Sequence, residues 1–192
     1  MGQTLTTEIL PIQRRHRLLK DACTVIGASI IISLCAPLSF PLPFTPVPIA
    51  IAAQVVLLLS VLLGSQRATL AVIAYLLQGA AGLPVFAAGG AVGLLRFVGP
   101  TGGYLLGYIL AAFVTGLICE KMKQRTEGKV FAAMVVGNLI IFICGLAHLS
   151  HFVPMGSLLF LGFFPFIGGE IVKLILAQRA LKALKFFKGS RF

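Results

Sequence analysis

The run VFAAMVVGNLIIFICGLA, residues 130–147, holds eighteen residues without a charge, and its one amide side chain is Asn138. A helix of about 20 apolar residues crosses a hydrocarbon core about 30 Å thick. Lipid offers backbone polar groups no partners, so a helix that satisfies its own is the natural spanning form. The segment therefore reads as a membrane span. Its composition is that of the whole chain: of 192 residues, 58% are hydrophobic and 11% charged, where a soluble domain has about a quarter charged. Such a chain cannot cover a water-facing surface, and lipid must be its solvent.

Working outward from residues 130–147, five further spans emerge, at about 18–36, 47–63, 68–83, 101–118 and 165–185. The reading is thus an all-α polytopic membrane protein of six transmembrane helices forming one membrane domain over residues 1–192, with no room for a soluble catalytic domain. The polar first twenty residues lead into a stretch too long for a signal-peptide core. Between the first two spans lie Pro37, Pro41, Pro43, Pro46 and Pro48; each disfavours helix in the residue before it, so this loop should be extended and stiff. A four-residue turn, Gly64-Ser65-Gln66-Arg67, separates spans two and three, and a glycine-rich loop covers residues 84–100. Residues 148–164 are apolar but broken by Pro154, Gly156 and Gly162, which suggests a loop with a short helix lying over the bundle. Pro165 suits the first turn of the last span.

The net charge of +11 is explained by topology. With both termini in the cytoplasm, fourteen of the sixteen Lys and Arg fall on the inner side: Arg14, Arg15, Arg17 and Lys20; Arg67; Lys121, Lys123, Arg125 and Lys129; Arg179, Lys182, Lys185, Lys188 and Arg191. Cytoplasmic loops of membrane proteins carry such an excess, so a nucleic-acid partner is unnecessary. Glu8, Asp21, Glu120 and Glu127 sit beside these clusters.

Three charges do not fit: Arg96, Glu170 and Lys173, all in the outer half. Glu170 and Lys173 are spaced i, i+3, on one helix face about a turn apart. A charge at this depth costs several kcal/mol unless it is paired or faces a wet cavity. The pair either pins the last span or forms a polar site within an apolar bundle, to which Arg96 could add a cation for a ligand carboxylate. The polar residues Gln54, mid-span 2, Gln78 and Asn138 either hydrogen-bond between helices or reach such a site. Gly99, Gly103, Gly107, Ala111 and Thr115, at every fourth position, form a ridge of small residues that lets another helix approach closely.

Other function classes lack their residues. Cys23, Cys35, Cys119 and Cys144 form no CxxC pair and lie in apolar segments, as packing residues do. His148 and His151 have no third ligand nearby, so no metal site is expected. The Gly89-Gly90, Gly93 and Gly99–Gly103 glycines lack the Gly-Lys-Ser/Thr ending of a phosphate loop. No Ser-His-Asp, HExxH or paired-carboxylate set appears, and Glu170 is the one intramembrane carboxylate. Neither an enzyme nor a cofactor is called for.

Four motifs, in order over residues 43–173, resemble the BioY family of biotin transporters: Pro43-Phe44-Thr45-Pro46-Val47-Pro48-Ile49, Gly79-Ala80-Ala81-Gly82-Leu83-Pro84-Val85-Phe86, Gly99-Pro100-Thr101-Gly102-Gly103-Tyr104, and Pro165-Phe166-Ile167-Gly168-Gly169-Glu170-Ile171-Val172-Lys173. The resemblance implies the substrate-binding (S) component of an energy-coupling-factor (ECF) importer in the cytoplasmic membrane of a bacterium. Such a component works with a transmembrane coupling subunit and two ATPase subunits, and sometimes with less. The implied ligand is biotin: Phe86 and Tyr104 would line the pocket for its rings, Glu170 and Lys173 would meet its ureido group, and Arg96 or Gln54 its carboxylate. Thr45 and Asn138 complete the expected binding set. Another carboxylate-bearing vitamin, or solitary transport, are the alternatives. Two features depart from the family. Its usual Asp-x-x-Lys is here Glu170-x-x-Lys173, and the first span has no Ala-x-x-x-Ala docking pair, Cys23-x-x-x-Gly27 being the nearest.

Overall fold

A computed structural model describes residues 3–188 apart from Gly89, with side chains from residue 15 to 183. Gly89 and Arg191 lie outside the described residues, and Glu8, Arg14, Lys185 and Lys188 outside the described side chains. The structure is a helical bundle in the order α1 (Gln3–Cys35), β1 (Ser39–Phe40), β2 (Ile49–Ala50), α2 (Ala52–Leu63), α3 (Ser65–Ala80), α4 (Leu95–Val98), α5 (Gly102–Lys121), α6 (Glu127–Leu149), α7 (Leu158–Gly162) and α8 (Phe164–Lys188). Among the described residues, four stretches are long and apolar enough to cross a bilayer: Arg15–Cys35, Gly102–Lys121, Glu127–Leu149 and Met155–Ala183. Their outer faces stay apolar, with Ile26 56%, Leu34 71% and Ile143 66% exposed, as befits a multi-pass protein solvated by lipid.

The proline-rich loop folds as a hairpin, with Ser39 opposite Ala50 and Phe40 opposite Ile49 in antiparallel register. The expected second span accordingly starts late. Pro48 has no N–H to give a helix and holds Val47 extended, and β2 keeps the chain extended to Ala50. Gln54 is therefore the third residue of a twelve-residue helix, not a mid-span residue. The expected four-residue turn also shrinks. Gly64 alone joins α2 to α3, at φ +82°, a conformation that side-chain-bearing residues rarely adopt.

At the same end of the bundle the charged groups meet. The Glu120 carboxylate accepts hydrogen bonds from the Ser65 amide (2.6 Å) and the Ser65 hydroxyl (2.8 Å), capping the positive end of α3. Arg67 pairs with Asp21 at 2.7 Å and Lys182 with Glu127 at 2.9 Å. Arg125 donates to the carbonyls of Cys119 (3.1 Å) and Val61 (3.3 Å), holding the C-terminal ends of α5 and α2 together. We call this the basic end.

The ridge of small residues on α5 packs against α6. A Cβ at Gly103 would overlap the Cys144 carbonyl, and one at Gly107 would stand 3.0 Å from the Cys144 Cβ. Gly99 lies outside the seam, nearest the carbonyls of α4. Gln78 hydrogen-bonds between helices, donating to Ser29 Oγ (3.1 Å) and accepting from Ser33 Oγ (2.7 Å). Residues 148–164 cross the bundle through a short 3-10 turn at Met155–Ser157 and α7. All four cysteines are free thiols.

Candidate functional site

At the end opposite the basic one, the helices and loops line a partly open cavity, of the concave, mostly apolar kind that small-molecule sites use. The hairpin contributes Pro48 and Ala50, α2 Ala53, α3 Tyr75, and the glycine-rich loop with α4 contributes Ala87 and Arg96. From α5 come Tyr104 and Tyr108, from α6 Asn138 and Phe142, and from α8 Phe166 and Glu170. The wall is mainly apolar and aromatic, with a few polar groups facing inward.

One wall is built around Glu170, which is 8% exposed. Its carboxylate accepts from the Lys173 ammonium, one turn on along α8, and from the Gln54 side-chain amide. Lys173 Nζ also donates to the Ala50 carbonyl at 2.9 Å, which fastens the end of β2 to α8. Lys173 is thus behind Glu170 and outside the cavity lining. Two polar atoms in this region are buried without a partner among the described residues: Gln54 Oε1 and Asn138 Oδ1. Leaving a buried acceptor unpaired costs about 1–3 kcal/mol, so orphans beside a cavity mark where a ligand's donors would go.

A second wall carries Arg96, 5% exposed on the short helix α4. Its guanidinium donates to the Ala87 carbonyl at 2.8 Å and lies where a Cβ on Gly90 would otherwise be. Gly90 is thereby accounted for: a side chain there would collide with the arginine that lies across the loop. Burial pushes the Arg96 pKa below its ordinary value, while Tyr75 and Tyr108 pull it back. An arginine remains a cation under such a shift.

Of the residues expected from sequence, Arg96, Tyr104, Asn138 and Glu170 line the cavity, while Gln54 and Lys173 bond to Glu170. Phe86 and Thr45 are brought near without lining it. The Phe86 ring stands edge-on to Tyr75 (centroids 5.6 Å apart) and Phe97 (5.7 Å), as backing for Tyr75. Thr45 donates to the Leu161 carbonyl at 2.6 Å, tying the hairpin loop to α7, and Tyr104 donates to Gly162 at 2.9 Å. His148 sits 3.1 Å from the Gly99 carbonyl through Nε2, and no cluster able to hold a metal occurs among the described residues.

Sequence reading passed over Tyr75, Tyr108, Phe142 and Phe166. A signal existed for two of them. The chain has three tyrosines, and all three line this cavity. A tyrosine in the middle of an apolar span carries a hydroxyl that needs a partner there. The phenylalanines gave none, since the chain holds thirteen others, most of them in similar apolar segments.

Comparison with known proteins agrees with this architecture. A biotin transporter BioY of Thermotoga maritima is 43% identical over 150 residues, covering 77% of this chain and 85% of its own. The biotin transporter BioY of Rhizobium etli is 35% identical over 162 residues, covering 80% and 86%. A crystal structure of the S-component for biotin from an ECF-type ABC transporter superposes with a TM-score of 0.79 at 26% identity, over 88% of this chain and 93% of that one. The model of the BioY family matches residues 6–188, and the chain belongs to that family.

Proposed function

We propose that the chain takes up biotin across the cytoplasmic membrane of a bacterium as the high-affinity substrate-binding component of an ECF-type transporter. The observation that carries this reading is that one apolar cavity is lined by a buried arginine, the buried Glu170 carboxylate and Asn138, whose amide oxygen has no partner among the described residues. Biotin has a carboxylate at the end of an aliphatic chain and, at its other end, a ureido group with two N–H donors and one carbonyl. Arg96 would take the carboxylate. Asn138, Gln54 and Glu170 would accept from the ureido N–H groups, and Tyr104 would pack on the rings. Lys173 would hold Glu170 in place, with Phe86 and Thr45 supporting the walls.

In this reading one membrane domain crosses the bilayer six times, α2 and α3 making the two shorter crossings, with both termini and the basic end in the cytoplasm and the cavity facing out. A transmembrane coupling subunit and two ATPase subunits supply the energy, so this chain is not itself an enzyme. Binding of labelled biotin to the purified protein in detergent, beside Glu170→Ala and Lys173→Ala, tests the proposal. Saturable binding lost in folded variants is the expected result. A folded wild-type protein that ignores biotin but binds another carboxylate-bearing vitamin would reassign the ligand.

A further inference from the structure

At the basic end, α1 and the first turn of α3 flank a recess open to the surface, lined by His16, Arg17, Lys20, Asp21, Cys23 and Arg67 among others. Residues 16, 17, 20, 23 and 24 fall along one stripe of α1, since three- and four-residue steps share a helix face. The cations are not equivalent. Arg67 is paired with Asp21 at 2.7 Å, whereas no ion pair involves Arg17 or Lys20 among the described side chains. These two therefore leave an uncompensated positive field in a concave place.

Depth decides what that field meets. The uncharged stretch of α1 begins at Ala22, after Asp21, and runs to Cys35, so Arg17 and Lys20 lie within about a turn of its start, at the level of phospholipid headgroups. On the bilayer side the surface turns apolar at once: Leu19 is 54%, Ile26 56% and Leu70 54% exposed. Cationic groups directly bordering apolar surface match a molecule with a phosphate head and hydrocarbon tails. A basic pocket between transmembrane helices holds an anionic head group by this arrangement. Free phosphate would use the cations but gain nothing from the apolar border.

We propose that this recess binds one anionic glycerophospholipid, its phosphate held by Arg17 and Lys20 and its chains lying along α1 and α3 past Cys23 and Leu70. The test compares retention of dioleoylphosphatidylglycerol and dioleoylphosphatidylcholine by the delipidated full chain, read by native mass spectrometry. The anionic lipid should be retained preferentially. Arg17→Gln/Lys20→Gln should weaken it by about 30-fold, about 1 kcal/mol per basic residue being typical near an anionic surface. Lys121→Gln/Lys123→Gln, with the same loss of charge elsewhere at this end, should leave it unchanged. Equal weakening by both pairs would mean a diffuse charge effect and overturn the proposal. So would competition by glycerol 3-phosphate as effective as that of the lipid, which would assign the cations to a soluble anion. Should the neutral pair not fold, a photoreactive phosphatidylglycerol on the unaltered protein decides the matter. Labelling within residues 15–24 and 67–70 supports the site, and labelling elsewhere refutes it.

Discussion

The two ends of the bundle use charge in opposite ways. At the basic end, Arg67, Asp21, Lys182 and Glu127 pair in the open, with side chains about half exposed, and Glu120 and Arg125 cap helix ends. At the cavity end, Arg96 and Glu170 are buried, and Gln54 and Asn138 each keep an acceptor without a donor. Exposed pairs contribute about 0–1 kcal/mol. Buried charges are costly to leave unpaired. The first arrangement sets position in the membrane and is tolerant. The second is an unfinished polar network whose completion by a ligand is favourable, and it is intolerant of change.

Five variants can break or sharpen that contrast. Lys173→Met leaves the Glu170 carboxylate buried without its cation and should cost about 3–5 kcal/mol of stability, with loss of biotin binding. Glu170→Gln with Lys173→Met should recover stability but not binding, as thermal unfolding and ligand titration will reveal; a single variant melting like wild type would show that this end is not a low-dielectric site. Arg96→Gln should weaken biotin by about 10- to 100-fold, the worth of a hydrogen bond to a charged group of about 1.5–3 kcal/mol. Binding of biotin amide should hardly change, and equal losses for both ligands would remove Arg96 from carboxylate recognition. At the basic end, Glu120→Ala deletes the cap of α3 and should lower stability by about 1 kcal/mol, without altering biotin affinity. Lys182→Gln, which breaks an exposed pair, should shift stability by less than about 1 kcal/mol, and a larger fall in melting temperature would contradict the division drawn between the two ends.

What could be read from sequence follows the same division. Hydropathy and the basic clusters marked the long helices, since burial in lipid leaves a compositional trace in every residue of a span. The three charges out of place, Arg96, Glu170 and Lys173, led to the cavity because charge in an apolar helix demands a reason. Helix starts were harder. Whether Pro48 begins a helix or a strand depends on the pairing of Ile49 with Phe40, nine residues back in the chain, which no local pattern encodes. The role of Lys173 as a brace, bonded to the Ala50 carbonyl on a distant segment, was hidden for the same reason. Tyr75 and Tyr108 could have been noticed, their hydroxyls being as out of place in apolar spans as a charge is.

The joint at Gly64 has a mechanical consequence. A connection of several residues would absorb relative displacement of the helices on either side. Here there is one residue, at φ +82°, with the Glu120 carboxylate packed where a side chain would be. That leaves no slack, so α2 and α3 form a stiff bracket clamped at its bend by α5. One arm carries Gln54 and the other Tyr75, so a push on the bend tilts both arms together, and the grip on whatever lies between them loosens or tightens in a single motion.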